Sequence, residues 1–205
     1  MFPHLSRFKT LSESRLHLLK QVVFLSSCLP ALVLATRTAL GTLGPDPVDT
    51  LTRNTGIWAL NFLLLTLGMA TLRKLLGWLW PLRMRRMLGL FSFFYASLHL
   101  ATYVSFDHFF DVAGMLNDVI KRPFITAGAF SFAVLGLLAA TSTKAMIRRM
   151  GTHWKPLHRL VYLGAISGVL HYFWLVKRDI TEPGIYIIVL CGLLSSRLMK
   201  SRYRR

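Results

Sequence analysis

Six long apolar runs constrain the fold of this 205-residue chain more than any other feature of its sequence. A helix that crosses a bilayer needs about 20 mainly apolar residues, because each residue adds only about 1.5 Å of length. The runs cover residues 20–40, 56–72, 87–106, 124–140, 157–176 and 184–199. Charged residues make up only 16% of the chain, whereas soluble domains average about 25%. We therefore predict an all-α integral membrane protein, a bundle of six transmembrane helices.

The basic charge is distributed unevenly among the segments that join these runs. Six spans place both termini on one side, and with the N-terminus inside, 19 of the 25 Lys and Arg residues lie on that side. Cytoplasmic loops are enriched in Lys and Arg, so both termini are predicted to be cytoplasmic. The formal charge of +17 is then a topology signal rather than a nucleic-acid signal. This orientation predicts a cytoplasmic segment at 1–19, a transmembrane domain at 20–199 and a basic cytoplasmic tail at 200–205.

The two cysteines and the start of the chain exclude several alternatives. The first 20 residues stay polar for too long to form a simple cleaved signal peptide, so the first apolar run is predicted to be retained. Cys28 and Cys191 each lie within an apolar run, and the sequence has no CxxC or CxxCH motif. Neither a zinc site nor covalently attached haem is therefore indicated. No internal repeat of fixed period is evident, which favours one compact domain.

The two main outer segments differ in character. Residues 41–55 contain several prolines and glycines, which predicts a turn-rich loop. Residues 107–122 are amphipathic and predict a short helix along the outer membrane interface. Its predicted apolar face consists of Phe109, Phe110, Val112, Ala113, Leu116 and Ile120.

Two histidines lie deep within the predicted spans. His99 is about 12 residues into the third run and His171 about 14 residues into the fifth, and both runs point outward, so the two imidazoles sit at similar depth. An ionisable group inside a span is a functional candidate by default, and neutral imidazole is a common haem-iron ligand. A helix–helix hydrogen bond is the alternative role for each residue alone. The matched depth favours a haem held between them, beside the small residues Gly164, Ala165, Ser167 and Gly168.

His158 is a weaker candidate at the inner end of the fifth run. It lies 13 residues before His171, which is about 20 Å along an ideal helix and about 140° around it. A polar residue that snorkels to the interface is the alternative interpretation. His108 is predicted to be a solvated or loop residue at the outer interface, whereas His4, His17 and His153 lie in polar inner segments.

Four segments of the sequence resemble one known family. They are "LGPDPV" at 43–48, "RRMLGLFSFFYASLHLATY" at 85–103, "KRPFITAG" at 121–128 and "HWKPLHRLVYLGAISGVLHYFW" at 153–174. Together they resemble the MsrQ family, formerly YedZ, the haem-binding membrane subunits of periplasmic protein-methionine-sulfoxide reductase systems. The resemblance covers about residues 15–200. That family belongs to the wider ferric-reductase-like transmembrane superfamily, which includes the membrane domains of NADPH oxidases.

The resemblance implies a function and a set of cofactors. It implies b-type haem, one or two per chain, with His99, His158 and His171 as iron ligands, and an FMN. It further implies electrons from the quinone pool of the bacterial inner membrane and a periplasmic molybdenum-cofactor partner that reduces methionine sulfoxide in proteins. The chain itself would then be a non-catalytic electron-transfer subunit, with no catalytic residues and no nucleic-acid partner.

The sequence departs from the wider superfamily at one position. Many members carry a second histidine on the third helix, 13 or 14 residues before the first, where this chain has Arg86 and Arg85. A second haem would need His158 and a fourth ligand, for which His17 and His153 are the candidates on the inner side. Arg85 and Arg86 are candidates for pairing with haem propionates or a flavin phosphate. Positive-inside anchoring is the alternative role for both.

Two rival functions remain open at the level of sequence. One is a stand-alone transmembrane ferric or cupric reductase, and the other is a haem-free transporter or scaffold. The sequence has no GxGxxG motif after a strand and no room for an NADPH–FAD domain, so a self-contained NAD(P)H oxidase is not indicated. If a periplasmic partner exists, the outer segments 41–55 and 107–122 are its predicted docking region.

Overall fold

The computed structural model describes residues 11–176 and 180–198, and within them it is helical with no β-strand. The predicted tail at 200–205 and residues 1–10 lie outside the described residues. The described α-helices are α1 Glu13–Ala39, α2 Pro47–Leu76, α3 Pro81–Thr102, α4 Val112–Lys121, α5 Pro123–Ala140, α6 Lys144–Met150, α7 Trp154–Leu157, α8 Val161–Leu175 and α9 Thr181–Leu198. A π-helical turn, Tyr103–Asp107, extends α3, and the 3₁₀ segments Gly151–His153 and His158–Leu160 flank α7.

Each predicted apolar run falls on a helical segment, although the boundaries differ. Within the described part of the chain, four helices are long and apolar enough to cross a membrane: α1, α2, α5 and α3 with its π-turn. The fifth predicted run, 157–176, is not one regular helix, because the 3₁₀ segment His158–Leu160 separates α7 from the 15-residue α8. The all-helical prediction is therefore confirmed, and the structure is that of a protein with several membrane-spanning candidates.

Local sequence explains where the long helices begin and end. α2, α3 and α5 each start with a proline, whose missing N–H costs nothing at the first helical position. Asp46 precedes Pro47 and accepts a hydrogen bond from the Asp49 amide at 2.9 Å, which caps α2. α2 ends at Gly77, whose φ of 72° suits glycine.

The helices pack around two apolar clusters. One lies among α2, α5, α8 and α9, where Leu63, Leu67 and Ala165 are almost fully buried. The other lies among α1, α2 and α3 and includes Leu16 and Met84. α1 exposes many large apolar side chains, as expected of a helix that faces lipid.

Helices α2 and α3 form one closely packed pair, and α5 and α8 form another. In the first pair the Ser92 hydroxyl donates to the Ala59 carbonyl at 2.9 Å. In the second pair the Ser131 hydroxyl donates to the Gly164 carbonyl, also at 2.9 Å. Ala59 and Ser131 are 72 positions apart, and so are Ser92 and Gly164. The two pairs are thus related by a constant offset of 72 residues, so the expectation of no internal repeat is wrong at the level of structure.

Tyr95 of α3 joins α1 to the α2–α3 pair through hydrogen bonds. Its ring is fully buried, and its hydroxyl donates to the Ser27 carbonyl at 2.7 Å and accepts from the Ala31 amide at 3.1 Å. The hydroxyl therefore enters the backbone ladder of α1 beside Pro30, which has no N–H to contribute. Pro30 and Tyr95 together define how α1 joins α3.

The outer segment 107–122 is only partly the predicted interfacial helix. α4 covers Val112–Lys121 and exposes Val112, Leu116 and Ile120 along one side. Phe109 and Phe110 lie before α4 in a turn, with φ values of 46° and 65°, a region that bulky residues rarely adopt. Both phenylalanine rings are exposed.

Candidate functional site

The structure brings His99 of α3 and His171 of α8 together, as their matched depth predicts. Their ring centres lie 6.1 Å apart, and the ring planes are inclined by 75°. Both side chains are partly buried. Two imidazoles on different helices therefore face a common space within the bundle.

Each imidazole is held by a main-chain carbonyl of a neighbouring helix. The Nδ1 atom of His99 lies 2.8 Å from the carbonyl oxygen of Thr52 on α2. The Nδ1 atom of His171 lies 2.7 Å from the carbonyl oxygen of Phe124 on α5. A carbonyl can only accept, so each Nδ1 carries the proton and each Nε2 keeps a lone pair. This tautomer is the one that ligates metals through Nε2, with the second nitrogen oriented by a hydrogen bond.

The donor set suits a haem iron better than a bare metal ion, and the spacing is compatible with one metal atom shared by both imidazoles. Within residues 11–176 and 180–198 no group of three or more His, Cys, Asp and Glu side chains could hold an ion, whereas protein zinc sites use three or four ligands. Two imidazoles that share one metal atom have ring centres about 6 Å apart, since each metal–nitrogen bond is about 2 Å. The observed 6.1 Å fits that spacing.

Thr52 contributes a second polar atom to this region. Its hydroxyl oxygen is buried and has no hydrogen-bond partner among the described residues, while its carbonyl accepts from His99. A buried hydroxyl without a partner is costly in an apolar interior. A bound group with polar substituents near the outer end of α2 would satisfy it.

His158 lies apart from this pair, in the 3₁₀ segment that precedes α8. Its Nε2 is 3.1 Å from the Thr141 hydroxyl, and its ring stacks on Trp154 at 4.0 Å. His158 opens a 3₁₀ segment, in which each residue turns by about 120° instead of 100°. On ideal geometry such a segment lowers the expected angle between His158 and His171 from about 140° to about 80°.

Arg85 and Arg86, which stand where related proteins carry a second α3 histidine, have different surroundings. Arg85 is half-buried, lies within hydrogen-bond reach of Tyr162, and interacts electrostatically with Arg197 and His158. Arg86 is exposed and lines a groove between α1 and α3 with Lys20 and Arg83. Of the two, Arg85 is therefore the more buried and the one whose charge acts on His158.

The remaining histidines are scattered, and His4 lies outside the described residues. His17 and His153, the candidates for a fourth ligand, are both exposed. His108 is a loop residue, as one of its two predicted roles requires, since it lies between the π-turn and α4. It is not solvated, because only 16% of its side chain is exposed and its Nε2 lies 3.2 Å from Asp118. Tyr103 packs on the His108 ring at 4.6 Å, which ties the end of α3 to α4.

The sequence alone did not identify the two glycines that lie against the imidazoles. Gly56 and Gly128 lie against His99 and His171, and a Cβ atom on either glycine would come within 3.0 Å or less of the ring nitrogen. The signal was present in the sequence, since Gly56 and Gly128, like His99 and His171, are 72 positions apart. Two glycines and two histidines spread over 116 positions do not stand out without the structure.

Comparison with known families identifies the class of protein. Residues 55–169 match the family model described as ferric reductase like transmembrane component. The match includes α3 with His99 and most of α8, and it ends two residues before His171. The chain thus belongs to the ferric-reductase-like transmembrane proteins. No solved structure matches the chain.

Curated relatives narrow the class further. A protein of Herminiimonas arsenicoxydans is 47% identical over 95% of this chain and 90% of its own length. One of Azospira oryzae is 50% identical over 91% and 81%, and one of Rhodospirillum rubrum 46% identical over 89% and 88%. All three are named protein-methionine-sulfoxide reductase heme-binding subunit MsrQ. The chain belongs to the MsrQ family, as the resemblance of its four segments indicated.

Proposed function

We propose that this chain is the membrane electron-transfer subunit of a protein-methionine-sulfoxide reductase system. It would take electrons from the respiratory quinone pool and pass them through b-type haem to a periplasmic molybdenum-cofactor subunit, on which methionine sulfoxide is reduced. The observation that carries the proposal is the pairing of His99 with His171 at 6.1 Å, each with Nδ1 tied to a carbonyl. The relatives, which are named heme-binding subunits, support it independently.

The protein's own residues supply the conditions that such a cofactor needs. When bound, haem provides one-electron redox chemistry at its iron, and His99 and His171 would hold that iron through Nε2. The Thr52 and Phe124 carbonyls keep the protons on Nδ1 and make each imidazole a stronger donor. The apolar walls of α2, α3, α5 and α8 exclude water, which tunes the redox potential.

Two substitutions test the assignment of His99 and His171 as iron ligands. His99→Ala and His171→Ala are each expected to abolish the low-spin b-type absorption bands of detergent-purified protein, because each removes one axial ligand. The matched control is His108→Ala, a histidine outside the candidate ligand set whose Nε2 lies 3.2 Å from Asp118, which should keep the bands. If both variants retain the full low-spin spectrum, the assignment of the axial ligands is wrong.

The arrangement in the membrane is part of the proposal. We propose six spans, with α8 and α9 as the fifth and sixth and both termini cytoplasmic in the bacterial inner membrane. The charge bias supports this orientation, since 19 of 25 basic residues lie on the proposed inner side. A C-terminal alkaline phosphatase fusion should be inactive and a green fluorescent protein fusion bright, whereas the reverse pattern would contradict the orientation.

A second haem and an FMN are further elements of the proposed route. His158, which precedes α8 in a 3₁₀ segment, would be one inner ligand, and His17 or His153 remains the prediction for the other. Arg85, beside His158, is better placed than Arg86 to pair with an anionic group there. Quantitative cofactor analysis of fully loaded protein decides these points: one haem per chain excludes the inner site.

The proposed partner would dock on the outer side. Segment 41–55 and segment 107–122 lie on that side, and the exposed rings of Phe109 and Phe110 offer an apolar contact in the second. Reduced protein should then be reoxidised by the molybdenum-cofactor subunit. Rapid reduction of ferric or cupric chelates without any partner would favour a stand-alone metal reductase, and absence of haem bands would favour a transporter or scaffold.

A further inference from the structure

We propose that Gly56 and Gly128 are positioning residues that fix the two axial imidazoles in their nearly perpendicular orientation. The inference rests on the proposed function, in which His99 and His171 hold a haem iron. It extends that function to two residues of α2 and α5 that would not themselves contact the iron.

The first argument is that His99 and His171 are held by the same arrangement of a carbonyl and a glycine. In each half of the molecule a carbonyl accepts from Nδ1, and a glycine follows four residues later on the same helix. Thr52 and His99 are 47 positions apart, and so are Phe124 and His171. Gly56 and Gly128 likewise each precede their histidine by the same number of residues. The two serine–carbonyl bonds of these helix pairs each span 33 positions, so the repeated unit extends beyond the histidines.

The second argument is steric. Residues four apart lie one above the other on a helix, so each glycine lies one turn below the carbonyl that holds its histidine. A Cβ on Gly56 would lie 3.0 Å from Nδ1 and 3.1 Å from Cε1 of His99. A Cβ on Gly128 would lie 2.8 Å from Nδ1 and 3.0 Å from Cε1 of His171. The rings rest on the bare backbone of these glycines, and any side chain there would turn or displace them.

The third argument is that other glycines of the same helices lack this relation. On α2, a Cβ at Gly68 would come no closer than 4.0 Å to Leu193. On α5, a Cβ at Gly136 would come to 3.4 Å from the end of the Phe93 ring, an ordinary contact. Gly68 and Gly136 therefore serve as matched controls in the same two helices.

The consequence for the cofactor follows from ligand chemistry. A displaced ring lengthens the Nδ1–H···O=C bond, which makes the imidazole a weaker donor and stabilises the ferric iron less. The midpoint potential should therefore rise. A turned ring also changes the angle between the two imidazole planes, which determines the anisotropy of the low-spin ferric EPR signal. Gly128→Ala should have the larger effect, because its contact is the shorter.

The test compares full-length, haem-loaded protein of the wild type with Gly56→Ala, Gly128→Ala, Gly68→Ala and Gly136→Ala. For each protein the haem-to-protein ratio, the ferric EPR spectrum, the midpoint potential and the melting temperature are measured. We expect shifted EPR signals and raised potentials in Gly56→Ala and Gly128→Ala, and wild-type values in the two controls. If Gly128→Ala no longer holds haem, Gly56→Ala, whose overlap is milder, decides.

Two results would overturn the inference. One is that Gly56→Ala and Gly128→Ala give wild-type EPR signals and potentials. The other is that they lower only the melting temperature, as a purely structural role in helix packing would. In either case the proposed function survives if His99→Ala and His171→Ala still lose the haem. If instead the wild-type protein holds no haem, the proposed function fails before the glycines are tested.

Discussion

The imidazole planes of His99 and His171 stand 75° apart, close to perpendicular rather than parallel. For a low-spin ferric haem with two imidazole ligands, perpendicular planes leave the two π-symmetry iron orbitals nearly degenerate. We therefore expect a strongly anisotropic low-spin signal in the EPR spectrum of the oxidised protein. A well-resolved rhombic signal, typical of parallel planes, would show that the rings rotate when haem binds.

A second prediction is that a substitution at His158 does not affect the His99–His171 site. Because His158 bonds to Thr141 and stacks on Trp154, His158→Ala should leave the spectrum of the proposed His99–His171 haem unchanged. The haem-to-protein ratio should fall only if an inner haem is present. A shift in the EPR signal assigned to the His99–His171 haem would contradict this separation.

Tyr95→Phe should destabilise the protein without affecting haem ligation. The substitution removes the bonds to the Ser27 carbonyl and the Ala31 amide and leaves the packing of the ring intact. Loss of such interhelical bonds in a membrane costs about 1–2 kcal/mol. Thermal unfolding in detergent measures the change, and Tyr103→Phe is the control, since its hydroxyl makes only a 3.4 Å contact with Asp118. Equal melting temperatures for the two variants would contradict the role of Tyr95.

The internal repeat predicts equal effects in its two halves. Ser92→Ala and Ser131→Ala each remove one interhelical bond of 2.9 Å, so each should cost about 0.6 kcal/mol and no more than about 1.7 kcal/mol. The double variant should show the sum, because the bonds join different helix pairs. The free energies of unfolding in a graded denaturant series provide the measurement, and a strongly unequal pair would contradict the repeat.

Lys74 tests how α9 is attached. Its ammonium group donates to the carbonyls of Ser196 and Arg197, in the last turn of α9, at 2.5 and 3.0 Å. Lys74→Met keeps the length of the side chain and removes the donor, so we expect a lower melting temperature and faster proteolysis near the C-terminus. Arg73→Met, at the neighbouring position, should have little effect on either.

The sequence predicted the large-scale features because they depend on composition and period. Apolar runs located the long helices, and the count of residues along two of them placed His99 level with His171. Boundaries were less predictable: α3 begins at Pro81 rather than 87, because Arg83, Arg85 and Arg86 lower the hydropathy of a stretch that is nonetheless helical. The break in the fifth run, at His158–Leu160, has no comparable signal in hydropathy.

The details of the site depend on contacts between helices, which no single segment reveals. The acceptors for His99 and His171 are main-chain carbonyls, so the identities of Thr52 and Phe124 carry no information about their role. Gly56 and Gly128 are ordinary glycines in apolar helices until they are seen against the imidazoles. The 72-residue offset is hard to see in the sequence, because corresponding positions share their geometry more often than their residue type. The serine that bonds α3 to α2 is on α3, whereas the serine that bonds α5 to α8 is on α5.

The insertion of Tyr95 into α1 has a consequence for the order in which the protein is built. Ser27 and Ala31 leave the ribosome more than 60 residues before Tyr95 does, since synthesis runs from the N-terminus. The backbone of α1 beside Pro30 therefore reaches its final hydrogen-bonded state only after α3 has been made and has packed against it. Biogenesis of this membrane protein thus finishes its first helix after its third.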